Sequence, residues 1–263
     1  MNFTTIEFSI EAGVALLTLN RPEKFNSFNT DMHREIREAL KEVRSNSEIR
    51  CLLITGKGRA FCAGQDLGDR AVSAEGEAPD LGESVETNYN PLIRAITSLE
   101  MPVICAVNGV AAGAGSSFAL AADIVLAARS ASFIQAFCKI GVIPDSGSTW
   151  VLPRLVGMAR AKGMALLGDK LPAEKAEQWG LIWQCLDDDK LEAESRALAA
   201  HLATQPTKGL SLIKRALKAS TANSLDEQLE LEKDYMRQAG QTDDYREGVA
   251  AFMAKRPAVF KGQ

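Results

Sequence analysis

The sequence predicts an α/β fold with a mostly parallel sheet, followed by a helical C-terminal region. Three observations carry this expectation. Short apolar runs at 51–55, 102–107 and 124–127 sit between charged or glycine-containing segments, as buried strands do. Helical patterns fill the intervals, at about 83–99 and 113–122. From Thr207 to Lys255 the strand signal almost disappears. Strands alternating with helices imply βαβ units.

Each element has a local reason. Residues 3–10 and 14–20 alternate apolar and polar around Glu11-Ala12-Gly13, which reads as a β-hairpin, and Arg21-Pro22 ends its second strand. Thr30 is placed to cap a helix over 31–45, where Met32, Ile36, Leu40 and Val43 recur at helical spacing. Three further helices are expected at 207–219, 224–239 and 243–254. The chain thus divides into a core over 1–200 and a helical subdomain over 201–263. Residues 68–82 mix glycine, proline and acidic side chains, and read either as a mobile cover or as a surface linker.

Composition narrows the function classes. With 263 residues, 46% apolar and 24% charged, the chain is an ordinary globular protein with a large core. A net charge of −4 gives no general reason to expect nucleic acid. No apolar run reaches the roughly 18–20 residues of a membrane span, and the first residues lack the pattern of a signal peptide. Cys51, Cys62, Cys105, Cys138 and Cys185 are odd in number and scattered, so neither a disulfide framework nor a zinc site is expected. A cytoplasmic, metal-free protein is the expectation.

Three segments could carry chemistry. Phe61-Cys62-Ala63-Gly64-Gln65-Asp66-Leu67 combines small residues with a glycine that allows a ligand close to the backbone, or else forms a plain turn. Asn108 to Ser117 runs through Gly109, Gly113 and Gly115 into a helix, whose first N–H groups could hold an anion or simply permit tight packing. Its spacing fits neither the dinucleotide fingerprint nor a Walker loop. In Ile140 to Trp150, Asp145 is either a helix cap or a base in an apolar pocket near Phe137 and Trp150. Nucleophilic triads lack support: His33 and His201 read as packing or surface residues, no serine stands in an elbow motif, and Cys62 and Cys105 read as buried small residues.

In order and spacing these segments resemble the crotonase superfamily, the enoyl-CoA hydratase/isomerase family. The likeness includes Leu19-Asn20-Arg21-Pro22 with Asn26, residues 61–67, 108–115 and 141–157, and Trp179-Gly180-Leu181-Ile182. It implies a spiral core of repeated ββα turns and a helical C-terminal region that supports trimers. It also implies an oxyanion hole from the backbone N–H groups of Gln65 and Ala114. By the same resemblance an acyl-CoA thioester would lie near Lys24, Phe25, Ala63, Gln65, Asp66, Leu67 and Gly113. Lys214, Arg215 and Lys255 read either as facing its phosphates or as a solvated charged face.

Departures from the family refine the expected activity. Hydratases of the family carry two glutamates that position water, where this chain has Ser117 and Phe137. What the resemblance leaves is Asp145, where some isomerases of the family carry a catalytic aspartate. The segments 78–82, 89–92, 201–207 and 244–249 resemble the branch that converts the ring 1,2-epoxide of phenylacetyl-CoA to the seven-membered oxepin. That branch implies a second role in moving a β,γ double bond to the α,β position. No cofactor is implied beyond the CoA of the substrate, and the expected partners are further copies as a trimer or dimer of trimers, or another subunit of the family. A fatty-acid enoyl-CoA isomerase and a silent CoA-binding scaffold are the alternatives.

Overall fold

The computed structural model describes residues 3–70 and 80–263, so most of the segment read as a cover lies outside the described residues. Strands β1 (Ile6–Glu11) and β2 (Val14–Leu19) form the expected hairpin, in register from Ile6 opposite Leu19 to Glu11 opposite Val14. Ala12 and Gly13 both take positive φ at its turn, the left-handed geometry such short loops need. Helix α1 (Thr30–Ser45) follows, but its cap is Asn29 rather than Thr30: the Asn29 carboxamide accepts the Met32 N–H at 2.9 Å. Both residues are good caps, and asparagine in extended geometry one position earlier takes the role.

The chain then alternates between two sheets. Strands β3 (Cys51–Gly56), β5 (Val103–Val107), β7 (Ile124–Ala128) and β10 (Gln184–Leu186) add in parallel to β2, giving the order β1-β2-β3-β5-β7-β10. Strands β4 (Ala60–Cys62), β6 (Val110–Ala112), β8 (Ser132–Ile134) and β9 (Leu171–Pro172) form the second sheet in that order. Each step lays one strand in each sheet before the connecting helices. Those are α2 (Leu81–Ser84) and α3 (Asn90–Thr97), then α4 (Ala114–Ala119), then α5 (Ser148–Leu167). This is the expected spiral of ββα turns. The apolar runs of β3 and β5 are buried throughout or nearly so, as parallel strands covered on both faces must be.

Helices α6 (Ala173–Gln178) and α7 (Leu191–Ala203) complete the core, and α7 packs across β3, β5 and β7. The change of character near residue 200 therefore falls inside a helix. Helices α8 (Thr207–Ala219), α9 (Leu225–Gly240) and α10 (Asp243–Met253) match the three expected C-terminal helices closely. Arg50 ties this region to the core through Thr207 Oγ1, the Gln205 carbonyl and the Phe260 carbonyl, at 3.0, 2.5 and 3.0 Å. Among the described residues, no helix is long and apolar enough to cross a membrane.

Candidate active site

Two loops meet where small residues let them. A Cβ on Gly64 would lie 2.9 Å from the Ala112 carbonyl oxygen and 3.4 Å from the Ala114 nitrogen. A Cβ on Gly115 would come within 2.3 Å of the Cys62 carbonyl oxygen. Glycine at these two positions allows the turn after β4 to rest directly on the start of α4. Gly64 itself needs φ +92, and Gly113 needs φ +52 with ψ −127, conformations that side chains disfavour.

Peptide planarity then aims two donors. The Gly64 carbonyl accepts the Phe28 N–H at 2.7 Å, so the Gln65 N–H, trans across the same peptide, points away from Phe28. The Gly113 carbonyl accepts the Ser117 N–H at 3.1 Å, so the Ala114 N–H points out of the start of α4. Among the described residues neither N–H meets an acceptor. Two aimed donors on adjoining loops can bind an oxygen that gains negative charge. The Gln65 side chain does not enter this space: its Nε2 donates to the carbonyls of Phe28 and Asp66, at 3.2 and 3.1 Å, and its Oε1 accepts from the Tyr89 hydroxyl.

Asp145 lines a cavity of about 870 Å³ with Leu67, Leu81, Val85 and Ile140 to Ile143. It is the one carboxylate among the described residues lining that cavity. The helix that follows it, α5, starts at Ser148 with Gly147 as its cap. Ser146 (φ +53) and Gly147 (φ +80) form a left-handed step between them. The Ser146 hydroxyl donates to Asp145 Oδ1 at 2.9 Å, and the Ser148 N–H donates to the Asp145 carbonyl at 3.0 Å. The left-handed serine is a costly conformation of the kind that gathers at functional sites.

The expected neighbours of Asp145 need correction. Neither Phe137 nor Trp150 lines its cavity. Phe137 is buried, with its ring 4.0 Å from where a Cβ of Gly113 would stand. Trp150, only three residues into α5, faces a second cavity of about 470 Å³ with Ser117, Leu120, Trp183 and Lys214. The two cavities adjoin at Ser146 and Gly147. At the positions of the hydratase glutamates, Ser117 Oγ lies 2.5 Å from Ser148 Oγ, and Phe137 supplies only an apolar ring.

The remaining candidates divide. Lys24 and Phe25 lie beside the first loop, where the Ala63 N–H donates to the Phe25 carbonyl at 3.0 Å. Phe25 is left-handed, and the Arg59 guanidinium sits 4.4 Å over its ring. Asp66 is committed to structure: Arg21 pairs with it at 2.9 Å, and this hydrogen bond holds its carboxyl below the usual range. Leu67 reaches the cavity of Asp145. Lys214 is neither a free cation nor a solvated one, since it pairs with Asp123 at 2.6 Å and donates to the Met101 carbonyl. Arg215 lies over the Tyr235 ring, 3.8 Å from Glu100. Cys62 and Cys105 are fully buried, and burial pushes the Cys62 thiol up to about 12, so it cannot serve as a nucleophile.

Comparison with known proteins follows the same lines. The family model for enoyl-CoA hydratase/isomerase matches residues 9–263. A 1,2-epoxyphenylacetyl-CoA isomerase of Escherichia coli (strain K12) is 60% identical over 254 residues, covering 97% of each chain. A protein of Rhodobacter capsulatus carried under the name probable enoyl-CoA hydratase is 49% identical over 263 residues, the full length of both. The crystal structure of an enoyl-CoA hydratase/isomerase from Cupriavidus metallidurans superposes with a TM-score of 0.92 at 31% identity, covering 100% of this chain and 98% of that one.

Proposed function

The chain belongs to the enoyl-CoA hydratase/isomerase family, and from that membership we propose that it isomerises acyl-CoA thioesters, converting 1,2-epoxyphenylacetyl-CoA to its oxepin. The 60% identity to the Escherichia coli isomerase supports this substrate, and with it a role in phenylacetate breakdown. The observation that carries the chemistry is a pair of aimed N–H groups on adjoining loops, with Leu67 of the first loop lining the cavity that holds a single carboxylate. Gln65 and Ala114 supply the donors, and Asp145 stands in the neighbouring cavity.

Each part has a task. The donors take up the charge that the thioester oxygen gains, and losing one donor of this kind costs roughly 2.7–4 kcal/mol of transition-state stabilisation. Ala114 is buried, which strengthens its bond to charge by excluding water. For a β,γ-unsaturated thioester, Asp145 accepts the α-proton while the C–H electron pair enters the thioester enolate. The same proton then returns to the γ-carbon, and the double bond has moved to the α,β position. One base suffices for that transfer, whereas water addition in this family uses two glutamates. Ser117 and Phe137 cannot replace them, which supports isomerase over hydratase.

CoA is part of the substrate in this reading, its nucleotide lying toward Lys24, Phe25 and the 63–67 loop, and no other cofactor takes part. Exposed apolar side chains on the C-terminal helices, Met236, Phe252 and Met253 among them, support association with further copies, which this reading takes as a trimer or dimer of trimers. The direct test is a panel of CoA esters. Conversion of the 1,2-epoxide to an oxepin product supports the reading. Turnover of fatty β,γ-enoyl-CoA alone, with the epoxide untouched, would assign a fatty-acid isomerase instead.

A further inference from the structure

Behind the oxyanion donors lies a partly buried hydrogen bond that the reaction itself does not call for. The Tyr89 hydroxyl donates to Gln65 Oε1 at 2.6 Å, and Tyr89 is only 1% exposed. Through its Nε2 the same carboxamide holds the carbonyls of Phe28 and Asp66, which flank the loop carrying the Gln65 N–H. Phe28 in turn bonds this loop twice through its backbone, accepting from Asp66 and donating to Gly64. The tyrosine packs edge-on against the stacked rings of Phe28 and His33, with ring centroids 5.9 and 4.7 Å away. A short π-helical turn, Val85–Tyr89, carries it. That wider turn brings Val85 and Tyr89 about one turn apart, and turns of this kind are frequent at functional sites. Val85 lines the cavity of Asp145 while Tyr89 reaches the Gln65 amide.

We propose that Tyr89 is a positioning residue: through Gln65 Oε1 it fixes the Gln65 N–H on the substrate oxygen, and the π-helical turn couples that donor to the wall of the cavity. The inference rests on the oxyanion-hole reading above. Tyr89→Phe removes one oxygen and keeps the ring packing, so a folded protein results. With the amide no longer fixed, the donor drifts, which predicts a fall in kcat of roughly 5–50-fold, short of the 10²–10³-fold loss of the whole donor. KM for the CoA ester changes little.

The experiment is a double-mutant cycle of Tyr89→Phe and Gln65→Met, read by kcat, KM and Tm. Alongside it, the ultraviolet absorption of bound acetoacetyl-CoA reports how much enolate the site stabilises at fixed pH. Gln65→Met keeps the backbone N–H and removes the carboxamide. The proposal expects each single variant to lose kcat and bound enolate by similar factors, and the double variant to lose no more than Gln65→Met alone. Additive losses, or full kcat and full enolate in Tyr89→Phe, would overturn it while leaving the oxyanion hole intact. If the wild type itself enriches no enolate, the hole is misassigned and the proposal falls with it.

Discussion

Glu35 shows how a single side chain can anchor an edge of the fold. It projects from α1, is 2% exposed, and accepts four close bonds from Thr4 and Thr5, through both their N–H and hydroxyl groups, at 2.6 to 3.0 Å. Burial raises its pKa, yet these bonds outweigh burial and hold the carboxyl below the usual range. A folded-state pKa below the unfolded value means the charge stabilises the fold above about pH 4.3 and that stability is lost as pH falls through the lowered pKa. Glu35→Gln is therefore expected to destabilise by about 2–4 kcal/mol at neutral pH in urea unfolding. The gap from wild type should narrow as the pH falls below about 4. A gap independent of pH would contradict the assignment. In the sequence Glu35 was indistinguishable from the solvated charges around it, because its partners lie some thirty residues away in space-filling contacts that no spacing encodes.

At the scale of elements, the meeting of β4 with α4 carries the proposed site, and glycine alone permits it. Gly115→Ala would press a methyl group against the Cys62 carbonyl, so the two loops must part. The expected cost is about 1–3 kcal/mol, seen as a lower Tm, together with loss of isomerase activity as the Gln65 and Ala114 donors separate. Normal activity in a folded Gly115→Ala protein would contradict the close-approach account. These loops were legible in the sequence because a backbone that must approach closely leaves glycines at fixed places. Asp145 was ambiguous there, since Pro144-Asp145 before a helical pattern also suits a cap. The left-handed Ser146-Gly147 step starts α5 two residues later, with Gly147 in the cap position. Trp150 was misplaced for a related reason: its direction depends on where α5 begins, and side-chain direction on a helix shifts with every residue.

For the whole molecule, the parallel core and the three C-terminal helices follow from apolar runs and helical spacing, and both were readable in order. The cavity walls were not, because Leu67, Leu81, Val85 and Ile143 come from separate segments that only tertiary packing brings together. The tie between core and C-terminal region rests heavily on Arg50, whose three bonds reach Thr207, Gln205 and Phe260. Arg50→Ala should release the C-terminal segment to proteolysis before the core, at a cost of about 2–4 kcal/mol. Simultaneous cleavage of both regions would argue that the tie lies elsewhere. Sedimentation of the wild type should show three or six copies of the 28.4-kDa chain, and Phe252→Glu should shift it toward smaller species. A monomeric wild type would contradict the assembly proposed here.

The central claim is that Asp145 moves the proton while the Gln65 and Ala114 backbones hold the charge. It is tested most directly by turnover of a β,γ-unsaturated acyl-CoA by wild type and Asp145→Asn, followed as the conjugated α,β-enoyl thioester appears. The account predicts a wild type that turns over and a variant that loses roughly 10²–10⁴-fold in kcat while still binding the CoA ester. Equal rates in the two proteins would place the base elsewhere and contradict the account.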